Sequence, residues 1–330
     1  MFLEQGNEGR NDIGRWIAMI IIAMVVSQFI GAIPLQIVIF LKMSENPELL
    51  PNPDNPLDLS AFDIDPLTGF VLMIIPFVFG LVSLLFLMKP IHERPMISVL
   101  TSSPAFRWKR FFWGAGVWFS LLTFYAIFAT ITGFQKIELQ FNPLTLVKLT
   151  VISILLIPLQ AGFEEVFFRG YLMQGFSRIL KYKWLTLLVT SLLFGGLHFF
   201  NPEVHEFGAM IALPQYICFG IAFGICVIMD EGIEMAWGVH AINNIFLSVF
   251  FTQDSSALQT PALFRIKTFN PLVDLFSIIL ISVLFIFIAR KKFMWPKWNF
   301  LLTTSKSEPV QTEMLFSYLE DEYEDEDSKI

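Results

Sequence analysis

Two adjacent glutamates and an arginine lie at the end of a long apolar run. Glu164 and Glu165 follow the apolar residues 144–159, and Arg169 comes four positions after Glu165. An ionised side chain at the centre of a membrane helix costs roughly 2.5–3.5 kcal/mol, so such acids are expected to be paired, protonated or used. Glu165 and Arg169 share a helix face and are predicted to form an ion pair. Glu164 points about 100° away and must find another partner.

Other polar side chains interrupt apolar segments further along the chain. His198 stands four positions after Phe194, and His240 and Asn244 stand four apart in a later segment. His240 and Asn244 share a helix face, which suits two groups that serve one ligand. Asn243 points elsewhere and is expected to bond a neighbouring helix. One buried histidine is usually a packing residue, but several ionisable sites at one depth indicate a function.

These side chains could activate water for hydrolysis. Glu164 and His198 can hold and deprotonate a water molecule, which typically contributes about 10²–10⁴ in rate. His240 and the amide of Asn244 can donate to an oxyanion, and losing one such donor costs about 10²–10³. Glu164, His198 and His240 could instead be three zinc ligands that leave water at a fourth position. The chain lacks the paired histidines of a HExxH helix, so the sequence leaves zinc open.

The composition is that of an integral membrane protein. Of the 330 residues, 55% are hydrophobic and 15% are charged, whereas soluble domains carry about 25% charged residues. Repeated apolar runs of about 18 residues or more indicate membrane-spanning helices. We therefore expect an all-α, polytopic membrane helix bundle in the plasma (inner) membrane. Its expected partners are the lipid bilayer and a membrane-associated peptide or protein substrate, with no nucleic acid.

About eight transmembrane helices are predicted. They are expected at 13–41, 70–88, 111–133, 143 onwards, 184–200, 208–229, 233–251 and 271–289. The first helix should bend near Pro34. The fourth should continue past the glutamates to about Gly175 or Ser177, because no proline interrupts that stretch. Glu164, His198 and Asn244 then lie at about one depth, roughly 20 Å from the cytoplasmic edge, with His240 about one turn shallower. All four are expected to be reachable from the cytosol.

Basic residues set the predicted orientation. With eight crossings and a cytoplasmic N-terminus, the inside segments hold fifteen of the lysines and arginines up to Lys297. The outside segments hold five, which are Lys42, Lys136, Lys148, Arg265 and Lys267. The positive-inside rule therefore places both termini in the cytoplasm.

The predicted organisation has three parts. A polar cytoplasmic tail covers residues 1–12, and a transmembrane core covers 13–295 with its motifs within 145–250. Residues 296–330 form an acidic tail, with seven acids among the last eleven residues. Such a composition is typical of a solvated, disordered segment.

The three motifs follow one another on the predicted fourth, fifth and seventh membrane helices. They are Glu164-Glu165-x-x-x-Arg169, Phe194-x-x-x-His198 and His240-x-x-x-Asn244. In combination they resemble the motifs of the CPBP family of intramembrane proteases. That family contains the type II CAAX prenyl endopeptidases and bacteriocin-processing or immunity proteins. The resemblance covers about residues 145–250.

This resemblance implies a role for each motif residue. Glu164 would be the base on the catalytic water, assisted by His198, and His240 and Asn244 would form the oxyanion site. The Glu165–Arg169 pair would support that arrangement. The family is often labelled a metalloendopeptidase, but a metal-free glutamate protease is the mechanism we expect. We therefore assign no cofactor and keep zinc as the alternative.

Two other function classes remain open from the sequence. The buried acid and histidines could form the proton relay of a proton-coupled transporter, although such carriers usually contain inverted repeats and none is visible here. The chain could also be a non-catalytic immunity or scaffold protein that retains the core. The motifs indicate a chemistry and do not identify the peptide that is cleaved.

Overall fold

The computed structural model of the chain describes residues 1–52, 55, 57–253 and 255–305. Within these residues the chain folds as a helix bundle, which confirms the predicted all-α, polytopic class. The helices are α1 (Ile13–Val25), α2 (Ile33–Glu45), α3 (Pro66–His92), α4 (Trp108–Ile131), α5 (Pro143–Glu165), α6 (Met173–Leu180), α7 (Lys183–Leu197), α8 (Pro202–Phe207), α9 (Ala209–Asp230), α10 (Glu234–Phe250) and α11 (Pro271–Phe293).

Each of the predicted helices corresponds to helical structure, with some shifted ends. The first is interrupted at Gly31, close to the expected bend, and resumes as α2. The fifth was expected to reach Phe200, but α7 ends at Leu197 after two consecutive glycines, which weaken a helix. The backbone then turns, because the N–H of His198 donates to the carbonyl of Gly195 at 3.1 Å.

The predicted extension of the fourth helix is confirmed. After Glu165 the chain continues as a π-helical segment, Val166–Leu172, and then as α6 to Leu180. The helical path from Pro143 to Leu180 contains 38 residues, or about 57 Å at 1.5 Å per residue. That length exceeds a hydrocarbon core of about 30 Å, so the two acids lie inside the bundle and α6 lies at one of its ends.

Six helical segments of the described chain are long and apolar enough to cross a membrane. They are Ile13–Glu45, Pro66–His92, Trp108–Ile131, Pro143–Leu180, Ala209–Asp230 and Pro271–Phe293. The helices α7 and α10 are shorter, with 15 and 17 residues. The chain is an integral, multi-pass membrane protein. The count of eight crossings and the cytoplasmic position of the termini stay predictions.

Three long helices begin with the same sequence signal. An Asp or Asn side chain accepts a hydrogen bond from the first turn, and a proline follows it at the first helical position. These pairs are Asp65-Pro66, Asn142-Pro143 and Asn270-Pro271.

A small sheet, which the sequence did not predict, lies at the end of the bundle where α5 and α11 begin. Strand β1 (Gln135–Leu139) pairs antiparallel with β3 (Phe264–Phe269), and β2 (Phe251–Thr252) pairs parallel with β3. The strand order is β1-β3-β2. The sheet joins the connections that follow α4 and α10. We call this end of the molecule the sheet face.

The opposite end carries most of the basic residues, and we call it the basic face. Arg107 at the start of α4 forms an ion pair with Glu234 at the start of α10 at 2.7 Å. Arg110 pairs there with Asp230, the last residue of α9, at 3.2 Å. The backbone N–H of Lys183 donates to the carbonyl of Thr303 at 3.3 Å. Several helix ends therefore meet at this face.

Both ends of the described chain pack on the basic face. Residues Leu3–Asn7 form a 3₁₀ turn whose first residue is buried, as is Phe2. Trp298–Leu302 forms another 3₁₀ turn. The acidic residues predicted as a disordered tail at 320–330 lie outside the described residues, and the tail boundary at 296 stays a prediction.

Large apolar side chains cover the outside of the bundle. Phe86, Phe124, Leu155 and Phe276 are more than half exposed although each belongs to a long apolar helix. Such a surface would aggregate in water and is stabilised by lipid chains. The helices therefore present one set of apolar side chains to each other and another to the bilayer.

Glycines allow α4 and α10 to approach closely. A β-carbon added at Gly238 on α10 would lie 2.1 Å from the carbonyl oxygen of Phe111 on α4. At Gly114 an added β-carbon would lie 2.9 Å from the carbonyl oxygen of Met235. Close backbone contact through small residues is the usual way in which helices associate in membranes. This contact sets the position of His240, which follows Gly238 by two residues.

We expect Gly238→Ala to destabilise the bundle, because its methyl group overlaps backbone that cannot rotate away. Overpacking of this kind costs about 1–3 kcal/mol, so the unfolding midpoint in detergent should fall. Gly116→Ala on α4 is the matched control, since its β-carbon would meet no atom within 4 Å. Equal midpoints for the two variants would contradict the close α4–α10 contact.

Candidate active site

The two adjacent glutamates occupy different environments at the end of α5. Glu165 is fully buried, whereas Glu164 lines a cavity. Successive residues of a helix point about 100° apart, so neighbouring positions can face different surroundings. The same residue type is therefore used once inside the packed core and once at the wall of a hollow.

Glu165 is the centre of a buried charged cluster. Its Oε1 accepts a hydrogen bond from Arg169 Nη1 at 2.9 Å, which confirms the ion pair predicted from the spacing. The same oxygen lies 2.7 Å from Nδ1 of His240 on α10. The guanidinium of Arg169 also lies 4.2 Å from the centre of the Phe194 ring, a favourable cation–π distance. The cluster joins α5, α7 and α10.

His240 is held between the two acids. With Nδ1 bonded to Glu165, Nε2 faces Glu164 and lies 3.6 Å from its Oε2. The two carboxylates and the Arg169 guanidinium leave one net negative charge, which a doubly protonated His240 would neutralise. In that state Nε2 carries a proton and can donate it to a group in the cavity.

Gln160 connects the acid to the asparagine and was missed as a site residue. Its Nε2 donates to Glu164 Oε1 at 2.5 Å, and its Oε1 accepts from Asn244 Nδ2 at 3.0 Å. The available signal was a polar residue four positions before Glu164 in an apolar run, because that spacing gives a shared helix face. Gln160 thus fixes the orientation of both side chains.

A second amide orients Asn244 from the other side. Asn243 Nδ2 donates to Asn244 Oδ1 at 3.1 Å, and Trp118 Nε1 on α4 donates to Asn243 Oδ1 at 3.1 Å. The expectation that Asn243 bonds a neighbouring helix is confirmed. Because the amide oxygen of Asn244 accepts the hydrogen bond from Asn243, the amide nitrogen of Asn244 faces Gln160. One of its two N–H groups bonds Gln160, and the other is available to a ligand.

His198 reaches the cavity from the end of α7. Its Nδ1 lies 2.7 Å from the carbonyl oxygen of Phe194, so that nitrogen carries the proton and Nε2 is the free atom. The ring stacks on Tyr216 with 4.0 Å between ring centres and 19° between planes. Within the described part of the chain, no hydrogen bond joins His198 directly to Glu164.

Tyr216 is a further polar residue of the site that the sequence reasoning passed over. Its hydroxyl donates to Glu203 Oε1 and accepts from Asn201 Nδ2 at 3.1 Å. All three residues follow or face the end of α7 and line the same cavity. The network holds the ring on which His198 stacks. Its members come from the segment after α7 and from α9 with no common helical spacing, so nothing in the sequence predicts it.

The predicted catalytic residues line one shared cavity of about 640 Å³. The lining includes Gln160, Glu164, His198, His240 and Asn244. The volume exceeds what a few water molecules need and falls within the usual range of ligand pockets, about 300–1,000 Å³. The helices that the sequence places at a common depth therefore border one cavity.

The cavity extends toward one end of the bundle. The sequence predicts a site that is reachable from the cytosol, and which end faces the cytosol stays a prediction. The cavity extends from Glu164 toward the sheet face, where Phe134, Gln253 and Asn270 line it. The basic side is filled, because Gln174 on α6 bonds the carbonyls of Ser98 and Phe2 at 2.7 and 3.1 Å.

The residues do not fit the zinc alternative as they stand. Among the residues that the structure describes, no three His, Cys, Asp or Glu side chains are grouped so as to hold a metal ion. Glu164 and His240 are close enough to share one, but a structural or catalytic zinc site needs at least three protein ligands. His198 is directed by its bond to Phe194 and its stacking on Tyr216.

Comparisons with known proteins agree with the motifs. Residues 143–246 match the family model described as Type II CAAX prenyl endopeptidase Rce1-like. The chain is 32% identical over 241 residues to the uncharacterized protein YyaK of Bacillus subtilis (strain 168), a match that covers 72% of this chain and 80% of that protein. No solved structure matches the chain. The region matched by the family model contains all three motifs.

We expect Glu165→Gln to destabilise the protein strongly. The change leaves the buried Arg169 guanidinium without its carboxylate, and breaking a buried ion pair in this way costs about 3–5 kcal/mol. The unfolding midpoint in detergent should fall, and Glu165→Gln/Arg169→Gln should recover part of the loss.

The matched control is Glu138→Gln on β1, whose partner Lys267 lies on β3 at 2.5 Å with both side chains about half exposed. Exposed pairs of this kind contribute little to stability, so the midpoint should not move. If the variants at 165 and 138 behave alike, the buried cluster does not hold the helices together.

Proposed function

Because the chain belongs to the CAAX protease and bacteriocin-processing (CPBP) family, we propose that it is an intramembrane endopeptidase that hydrolyses a peptide bond of a membrane-associated substrate. The observation that carries the proposal is the common cavity wall of Glu164, His198, His240 and Asn244. A carboxylate base, an imidazole to orient water and two oxyanion donors on the wall of one cavity are the parts that hydrolysis by water requires.

In the proposed reaction, Glu164 is the general base. Its carboxylate takes a proton from a water molecule, whose oxygen attacks the carbonyl carbon of the substrate. The free Nε2 of His198 accepts the second hydrogen bond of that water and orients it. Gln160 keeps one oxygen of Glu164 occupied at 2.5 Å, so the other oxygen is the one available for proton transfer.

His240 and Asn244 stabilise the charge that develops on the substrate. When the water oxygen attacks, the carbonyl oxygen of the substrate becomes negative. It then accepts hydrogen bonds from Nε2–H of His240 and from the remaining N–H of Asn244. Donors that are fixed before the reaction need no reorganisation, which makes them effective. Glu165 fixes the His240 ring, and Asn243 fixes the Asn244 amide. The carbon–nitrogen bond then breaks, and the proton held by Glu164 passes to the leaving amine.

We expect Glu164→Gln to abolish cleavage while leaving the protein folded. The amide cannot accept the proton, so the rate should fall by about 10²–10⁴. The assay is cleavage of membrane-peptide libraries by detergent-purified protein, read by mass spectrometry. Glu138→Gln serves as the control, since this acid lies outside the cavity and should keep full activity. Equal cleavage by Glu164→Gln would reject the mechanism, whereas no cleavage by the unchanged protein would favour a non-catalytic scaffold.

A further test concerns the metal. We propose hydrolysis without zinc, so the purified active protein should contain no stoichiometric zinc by elemental analysis. Cleavage should also persist after a strong chelator is added and removed. Stoichiometric zinc that is lost in His240→Ala would overturn the metal-free mechanism, because His240 is one of the three candidate ligands.

A further inference from the structure

The cavity occupies only one half of the bundle. Its lining residues on α4, such as Leu122 and Tyr125, belong to the second half of that helix, and those on α3 belong to the first half. The lining residues of α11 come from its first eight residues, from Pro271 to Ile278. Each of these helix halves is the one nearest the sheet face. The exposed lining residues Phe134 and Leu247 lie there as well.

The half that ends at the basic face is packed. Beneath the Glu165–Arg169 pair lie Tyr171, Met88 and Ile233, all fully buried. A β-carbon added at Gly170 would lie 2.3 Å from the carbonyl oxygen of Val99, so the turn before α4 presses directly on this helix. The helix that carries Gly170 and the turn before α4 are therefore in direct contact at this floor.

The packed half is also the one that the positive-inside rule assigns to the cytoplasm. Its face holds basic residues from several connections, including Arg94, Arg107, Arg178 and Lys183. Basic residues in short connections next to membrane helices stay on the cytoplasmic side. The half that contains the cavity and the half that ends at the basic face therefore lie toward opposite sides of the membrane.

We infer that this enzyme takes its substrate from the exoplasmic side of the membrane, through the sheet face. The inference rests on the proposed function and adds the class of substrate to it. The substrates would be exported, membrane-attached polypeptides, cleaved at a segment that descends into the bundle from outside. A cytosolic chain would have to unfold the floor to reach Glu164.

The lining limits which segments fit. The wall contains many phenylalanines, among them Phe163 and Phe246, so it favours apolar side chains. Its acids are Glu164, Glu203 and Asp274, and its described residues include no lysine or arginine. A carboxylate entering the cavity would meet these acids with no lysine or arginine in the described wall to pair with it, which is unfavourable at low dielectric. Substrate segments with acidic residues next to the cleaved bond should therefore be excluded from the cavity.

The side of access can be tested without any substrate. Single cysteines are introduced by Ala126→Cys, deep in the cavity, and Ser256→Cys, in its wall near the sheet face. The full-length protein is expressed in bacterial protoplasts and treated with a membrane-impermeant maleimide before or after lysis. Labelling of the unchanged chain measures the background from Cys218 and Cys226. Ala105→Cys, exposed at the basic face, is the opposite-side control.

Both cavity cysteines should label as fully in intact protoplasts as after lysis, whereas Ala105→Cys should label only after lysis. Gln140→Cys, exposed beside β1, should follow the cavity cysteines. Labelling of Ala126→Cys only after lysis, or not at all, overturns the inference, as does labelling of Ala105→Cys in intact protoplasts. Glu164→Gln should leave the pattern unchanged, so a failure of the proteolytic mechanism is distinguished from a failure of the access route.

Discussion

The burial of a carboxylate inside a membrane protein is the constraint on which this structure depends. Glu165 is removed from water and lipid alike, and an unpaired charge in that position would cost several kcal/mol. One oxygen of Glu165 receives both the guanidinium of Arg169 and Nδ1 of His240. Because Arg169 is one turn further along the same helical path while His240 comes from α10, the charge can be accommodated only when the two elements are docked.

That docking explains features that otherwise look unrelated. The helix that carries the acids must run on through the π-helical segment Val166–Leu172 to bring Arg169 over the Phe194 ring. The α10 helix must approach α4 through Gly238, so that its next turn reaches Glu165. The packed floor then protects the pair from water, and the hollow begins on the other side of His240.

The sequence predicted the parts of this arrangement that depend on local spacing. Residues four apart share a helix face wherever the helix lies, so the Glu165–Arg169 pair and the common face of His240 and Asn244 could be anticipated. Partners from other helices could not. The spacing of Gln160 marks its face shared with Glu164, but no spacing marks its bond to Asn244 on α10 or the place of Tyr216. Strand β1 lies more than a hundred residues from β3, with which it pairs. Which half is hollow depends on how Phe2 and Val99 pack against α6 and the π segment, and no periodicity encodes that.

Glu164 and Glu165 illustrate how one residue type can serve two purposes. Their positions differ by a single step of the helix, but one carboxylate is neutralised by fixed cations and the other faces a cavity with an amide and an imidazole as neighbours. A base must be able to gain and lose a proton, which a carboxylate held by a guanidinium does poorly. Environment therefore separates the two roles that we propose, as it does for paired carboxylates in hydrolases. The buried acid gives His240 its orientation, and His240 in turn gives Glu164 a polar neighbour at the cavity wall.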